Sequence, residues 1–309
     1  MKELIQTQSA ARIFSREAQG GKLAHAYLFV FPDEKYLRFL LKHFAKILLS
    51  ASERVQSLID KECFSDCKIY PAAESKFSVS DANAILEDHT LRPLEGEKKV
   101  YLLDRFHEAS VSVQNKLLKA LEEPPAGVYF LLGVTSEFPV LPTVLSRVRK
   151  MVFPPFTEEQ VLSFLKRHYP DRENLSDFAA SSGGIVSEAE ALLSGSYYGE
   201  ILSLCLAVAS MRECDLPFLS ARAAACKHKS EFLSLLRLVF RDVLMYNSKG
   251  TPLLKGVSLE NIAKEYSAAA CVAVLESIVV AERDMKFNSS FPQLVENLLT
   301  TIIKEKEKC

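Results

Sequence analysis

Short apolar runs alternate with amphipathic stretches along the first half of the chain. Ala26–Phe31 (AYLFVF), Val100–Leu103 (VYLL), Val128–Val134 (VYFLLGV) and Arg149–Phe153 have the length and composition of buried strands. Between them, Leu37, Leu40, Leu41, Phe44, Ile47 and Leu48 share one face of a helix over Lys35–Leu49. Asp81–Asp88 is helical in pattern, with Ser80 as the expected N-cap. Ser110–Glu123 is a third helix, stopped by Pro124 and Pro125, whose rings and missing N–H groups cannot continue it. Strands of this kind separated by helices predict a parallel sheet covered on both faces.

The pattern changes after Pro154–Pro155. Thr157, followed by Glu159 and Gln160, opens a helix running to about His168, and Gly183–Gly184 breaks the next region. Residues 200–245 and 259–306 carry long apolar periodicities at helical spacing. The expected organisation is an α/β domain over 1–155, a small helical unit over 156–197 and an all-α bundle over 198–309. The stripe Phe232, Leu235, Leu236, Val239 and Phe240 is expected to be core.

Composition narrows the function. Of 309 residues, 48% are hydrophobic, enough for sizeable cores, and a net charge of −1 excludes a uniformly basic nucleic-acid coat. Glu3, Arg12, Arg16 and Glu17 interrupt the start of the chain, so no secretory apolar region is expected there. Seven scattered cysteines, an odd number, suit reduced thiols in a cytoplasmic protein.

Four segments carry the candidate chemistry. They are Gly21-Lys-Leu-Ala-His-Ala-Tyr-Leu-Phe29, Lys99-Val-Tyr-Leu-Leu-Asp-Arg105, Gln114-Asn-Lys-Leu-Leu-Lys-Ala-Leu-Glu-Glu-Pro-Pro125, and Leu141-Pro-Thr-Val-Leu-Ser-Arg-Val148. A strand feeding a helix through a short loop is where nucleotide-binding folds hold phosphates. Such a loop needs glycines so that backbone N–H groups turn inward, a Lys for phosphate, and a hydroxyl for Mg²⁺.

Taken in this order, the segments resemble the clamp-loader branch of the AAA+ family. His25–Phe29, Asn115–Pro125 and Leu141–Val148 match its motifs almost residue for residue. The likeness covers roughly residues 10–195, and Glu282–Leu299 is more weakly similar to the family's collar helix. It implies an AAA+ core over 1–155, a helical lid over 156–197 and an oligomerising collar over 198–309.

The departures from the family pattern point to its delta-prime type of subunit. In an ungapped alignment Phe31 and Tyr36 stand where the phosphate loop has glycines. Leu37 stands at the lysine position and Arg38 at the hydroxyl position. Lys35 or Lys42 would replace the lysine only through a register shift, yet no glycine lies between Gly21 and Gly96. Asp104 keeps the metal-ligand position at the end of its strand, whereas Arg105 replaces the glutamate that polarises water. A strand-end carboxylate of this kind is ordinarily paired, here with Arg105, or caps the next helix. Glu188, in Gly183-Gly-Ile-Val-Ser-Glu-Ala189, stands where the family has a phosphate-sensing arginine.

These losses imply a chain that holds no nucleotide cofactor and is not an ATPase by itself. Arg147, supported by Ser146, matches the arginine that the family inserts into a neighbour's ATP site, and such a finger is worth about 10³–10⁵ in rate. The alternative from spacing alone is a solvated residue in the basic cluster Arg147, Arg149 and Lys150. The partners implied are gamma/tau-type ATPase subunits and a delta subunit, and indirectly a sliding clamp and primed DNA, with no membrane. Zinc is not expected, because Cys63, Cys67 and His89 supply no fourth ligand. Two further readings are an active ATPase with a divergent phosphate loop and a replication-independent adaptor.

Overall fold

The computed structural model describes the whole chain except residues 74, 173–174, 195–197, 251–253, 255–256, 258, 287–288 and 309. It divides into two units, Met1–Pro155 and Phe156–Cys309. The expected junction at 197/198 and parts of the collar-like segment fall outside the described residues.

The first unit runs α1 (Lys2–Thr7), α2 (Ser9–Gln19), β1 (Ala26–Val30), α3 (Glu34–Leu48), α4 (Glu53–Asp60), β2 (Cys67–Tyr70), α5 (Val79–Asp88), β3 (Lys99–Leu103), α6 (Val111–Glu122), β4 (Val128–Val134), α7 (Pro142–Leu145) and β5 (Arg149–Val152). All pairings are parallel, in the order β2-β3-β4-β1-β5. Both faces of the central strands are apolar, as a parallel sheet covered by helices requires. Tyr27 and Phe29 point to one face and meet Phe14, Phe44 and Phe153 in an aromatic cluster. On the other face Leu28, Tyr101, Leu103, Phe130 and Leu132 pack with Leu117 and Leu121 of α6.

Helix ends follow side-chain capping. Ser78 caps α5 and shares a capping box with Asp81, so the helix starts before the expected Ser80. Ser110 caps α6, and Glu123 leaves helical geometry at φ −131°, ψ 66° ahead of the two prolines. β2 carries no pattern that predicts it. It is a short edge strand with Lys68 at its centre, three of its four residues are half-buried, and its register comes from β3.

The second unit contains α8 (Glu158–His168), α9 (Leu175–Ser181), α10 (Val186–Ser194), α11 (Tyr198–Ser210), α12 (Leu216–Ala224), α13 (Lys229–Asn247), α14 (Glu260–Ala263), α15 (Ala268–Lys286) and α16 (Phe291–Glu307). Thr157 and Gln160 form a capping box on α8. Gly183 and Gly184 take φ of 58° and 85°, which lets the chain turn sharply between α9 and α10. Phe232, Leu235, Leu236, Val239 and Phe240 of α13 are all buried, so this stripe is core. Among the described residues no single helix is long and apolar enough to cross a membrane.

Candidate functional site

The corner where β1 leads into α3 is the place a phosphate loop would occupy. β1 ends at Val30 and α3 begins at Glu34, leaving three residues, Phe31–Asp33, between them. In the G-x-x-x-x-G-K-[ST] motif the glycine-rich stretch turns its N–H groups onto phosphate and the Lys and hydroxyl residues open the following helix. Here the second half of the aligned segment, Tyr36, Leu37 and Arg38, is already inside the helix. Most N–H groups beyond its first turn are committed to the helical ladder.

Side chains finish the closure. Phe31 continues the face of Tyr27 and Phe29, is 1% exposed, and packs edge-on against Phe153 at 6.2 Å. Leu37, at the lysine position, is fully buried against β4. Its approach depends on Gly133, where a Cβ would come within 3.1 Å of Leu37 Cγ and 3.0 Å of Leu41 Cδ1. Tyr36 is half-buried, and the Lys35 ammonium lies 5.5 Å from the centre of its ring.

Arg38 completes the change. Its Nη1 donates to Asp104 Oδ2 at 3.2 Å and to Pro71 O at 3.1 Å. Its Nε and Nη2 donate to the two oxygens of Glu62 at 2.7 and 2.5 Å. A bidentate fork of this type is among the stronger charge-assisted arrangements. Lys42 adds a contact to Glu62 at 2.7 Å and donates to Asp60 O at 2.9 Å, so it serves this cluster. Arg38 and Lys42 hold the Glu62 carboxyl well below the usual carboxylate range, at about 2, against the opposing effect of burial.

Asp104 is therefore paired with Arg38, the residue aligned with the family's hydroxyl position, and only distantly with Arg105, whose Nε is 3.9 Å away. The second oxygen, Oδ1, is buried without a hydrogen bond. Arg105 takes a left-handed conformation, φ 47° and ψ 43°, and donates to Ser75 O at 2.9 Å. It does not cap the next turn through its side chain. The Asp104–Arg38 contact was not legible from either motif alone. Glu62 lies in the weakly patterned segment after α4 and gave no signal of its own.

Arg147 follows α7 and lies beside the end of α6. Its Nη1 donates to Thr143 O at 2.8 Å and Ser146 Oγ at 3.1 Å, and Nη2 donates to Glu122 Oε1 at 3.2 Å. Its Nε is shut off from water and has no partner, which costs about 1–3 kcal/mol for a buried donor. Ser146 Oγ donates to Thr143 O at 3.0 Å, closing the turn. The other members of the basic cluster are engaged elsewhere, Arg149 with Glu17 and Lys150 with Glu137.

Two residues that position this segment were missed from the sequence. Gln114 is 1% exposed and its amide donates to Ala109 O and Pro139 O, both at 3.0 Å, while accepting from Leu141 N at 2.9 Å. It ties the start of α6 to the residue preceding α7. His25 hydrogen-bonds Leu121 O at 2.7 Å, joining the HAYLF strand to the LLKALEE helix.

Glu188 belongs to the second unit, in the first turn of α10, and accepts from Ser230 Oγ at 3.5 Å. Cys63 is exposed, whereas Cys67 is buried on β2 with its thiol pushed up to about 12 by burial. His89 is hydrogen-bonded to Leu86 O at 2.8 Å. Among the described residues no group of three His, Cys, Asp or Glu side chains stands where it could hold a metal ion.

The first unit is a five-stranded parallel α/β fold whose β1–α3 corner is filled by its own side chains. Residues 6–157 match the family described as "DNA polymerase III, delta subunit". The DNA polymerase III subunit tau/gamma of Haemophilus influenzae is 37% identical over 103 residues, 33% of this chain and 15% of the relative. The subunit tau of Bacillus subtilis is 24% identical over 87% of this chain and 55% of its own length. The chain therefore spans little more than half of the one relative and a small part of the other. A gamma subunit-related protein of Thermotoga maritima superimposes with a TM-score of 0.43 and 16% identity over 96% of this chain and 99% of its own. Over its first unit the chain is thus similar to DNA polymerase III subunits of the gamma, tau and delta kind.

Proposed function

We propose that this chain is a delta-prime-type subunit of a sliding-clamp loader, without an ATP site of its own, that donates Arg147 to a neighbouring gamma/tau-type ATPase subunit. The observation that carries the reading is the Arg38–Asp104 contact at 3.2 Å in a corner where α3 begins at Glu34, ahead of the aligned Tyr36. A guanidinium occupies the metal-ligand carboxylate, and a buried leucine stands in for the phosphate lysine. Neither a triphosphate nor Mg²⁺ has a partner there, so the retained arginine of Leu145-Ser-Arg-Val148 acts on another subunit's nucleotide.

The second unit then supplies a lid over 156–197, with Glu188 in place of a phosphate-sensing cation, and a collar over 198–309 that assembles the ring. The partners are the gamma/tau-type subunits and a delta subunit, with the clamp and primed DNA reached through the assembly in the cytoplasm. Titration calorimetry of the chain with ATP and Mg²⁺ tests the first half, and micromolar binding overturns it. Replacing Arg147 with Ala in a reconstituted loader tests the second. Loss of a large part of the DNA-stimulated ATPase is expected, and an undiminished rate refutes the finger. A second reading, an ATP-hydrolysing member, draws on the matching relatives being tau and gamma subunits, and the same calorimetry decides it.

A further inference from the structure

We infer that Glu122 is a positioning residue that parks Arg147 within its own chain while the neighbouring site is empty, leaving the Nε/Nη2 edge of the guanidinium as the part an oxyanion takes over. This rests on the proposed role of Arg147 as a finger in trans.

The donors of this guanidinium are divided unequally. Nη1 is spent on two neutral acceptors of its own turn, Thr143 O and Ser146 Oγ, which anchor the group without competing for its charge. The opposite edge carries Nε and Nη2. Only Nη2 has a partner there, a single Glu122 oxygen at 3.2 Å, whereas Nε is unpaired and cut off from water. A carboxylate that used both oxygens would satisfy the edge, as Glu62 does for Arg38 at 2.7 and 2.5 Å. Glu122 instead holds it by one point, from a side chain 56% exposed. Phosphate oxygens presented in the plane of the guanidinium can take Nε and Nη2 together. They satisfy the orphan donor and return Glu122 to water, while the Nη1 anchor stays in place.

Glu122 thus holds the finger against the chain and competes for it with the incoming phosphate. Parking lowers the free energy of the empty state, so it enters kcat/KM, which compares the transition state with free enzyme. An exposed ion pair of this kind alters kcat/KM by about two- to fivefold at low ionic strength, and salt screens the effect.

The test uses a reconstituted loader containing the full chain beside a gamma/tau-type ATPase, with Glu122→Gln, which keeps size and removes charge. We expect kcat/KM for ATP to rise about two- to fivefold at low salt, the gain to vanish near 1 M salt, and no gain on an Arg147→Ala background. A value unchanged or lowered by Glu122→Gln, where Arg147→Ala alone is strongly impaired, overturns the parking and leaves the finger intact. Arg147→Ala at the wild-type rate overturns the finger reading itself. In the isolated full chain, nitrogen NMR of Arg147 should show slow rotation about its Cζ–Nη bonds that quickens in Glu122→Gln. Fast rotation already in the wild type overturns the parking independently of any ATPase.

Discussion

Replacing Arg38 with Ala is the sharpest probe of the filled corner between β1 and α3. In the native unit Arg38 neutralises Asp104, whose side chain is 6% exposed, and bridges Glu62, whose side chain is 31% exposed. Its removal leaves Asp104 with Arg105 at 3.9 Å as its remaining cation and with one oxygen already lacking a hydrogen bond. Breaking a fully buried pair by deleting one partner costs about 3–5 kcal/mol. An exposed pair is worth about 0.2–1 kcal/mol. The half-exposed Glu62 limb, which retains Lys42, adds little, whereas the Asp104 limb is close to the buried case. We therefore expect a loss of about 2–3 kcal/mol in the first unit. Arg38→Ala combined with Asp104→Asn should recover part of it, because the stranded charge is gone. The chain has no tryptophan to report on one unit selectively. Hydrogen exchange of the β1, β3 and β4 amides against urea, read by mass spectrometry, measures the loss strand by strand. A loss below about 0.5 kcal/mol, or a double variant no more stable than Arg38→Ala, refutes the assignment of this cluster as the structural replacement of a nucleotide. Since Leu37 stays buried at the aligned lysine position, Arg38→Ala is also expected to bind no ATP in calorimetry.

Other outcomes follow from the same structure. His43 is buried, and its imidazole is held down at about 4 by burial and by the charges of Lys2 and Lys46. The unfolded chain takes up a proton near pH 6.5 that the folded chain refuses until about pH 4, so stability falls by roughly 1.4 kcal/mol per pH unit across that window as pH drops. His43→Leu should flatten this slope in urea melts collected between pH 7 and pH 4. Below it, Glu62, held at about 2, contributes stability that is complete above about pH 4.5 and is lost toward pH 2; Glu62→Gln should remove that limb of the acid profile. Gly133→Val should cost about 1–3 kcal/mol in thermal melts, because α3 already touches the place of the missing side chain. Gln114→Leu leaves Leu141 N, Ala109 O and Pro139 O without their partner. It should speed amide exchange across residues 139–147 at least tenfold while β1 exchange stays near its native rate.

Much of this was legible before any coordinates, for local reasons. Apolar runs of strand length, helices with one greasy face and capping serines are written in consecutive residues. The sheet, its covering helices and the mostly helical second unit follow from them. The identity of the residues aligned with a phosphate loop is equally local, since Phe31, Tyr36 and Leu37 are read directly from the sequence. The strand β2 was not legible, because a short edge strand takes its pairing from β3 and carries no pattern of its own. The true cap of α5 was missed because two serines stand close together and only Ser78 also finds the returning carboxylate of Asp81.

The sequence alone determined that this protein builds a parallel α/β unit followed by helices and that Phe31, Tyr36, Leu37 and Arg38 stand where an aligned phosphate loop has glycines, lysine and hydroxyl. Tertiary structure decided what they meet. It brought Arg38 onto Asp104 across 66 positions of chain, drew Glu62 and Lys42 into the same cluster, and set Glu122 beside Arg147. Hydrophobic period is a property of neighbouring residues and survives as a pattern in the sequence. An ion pair between distant residues depends on the packing of strands and helices that carry no record of which charges will meet.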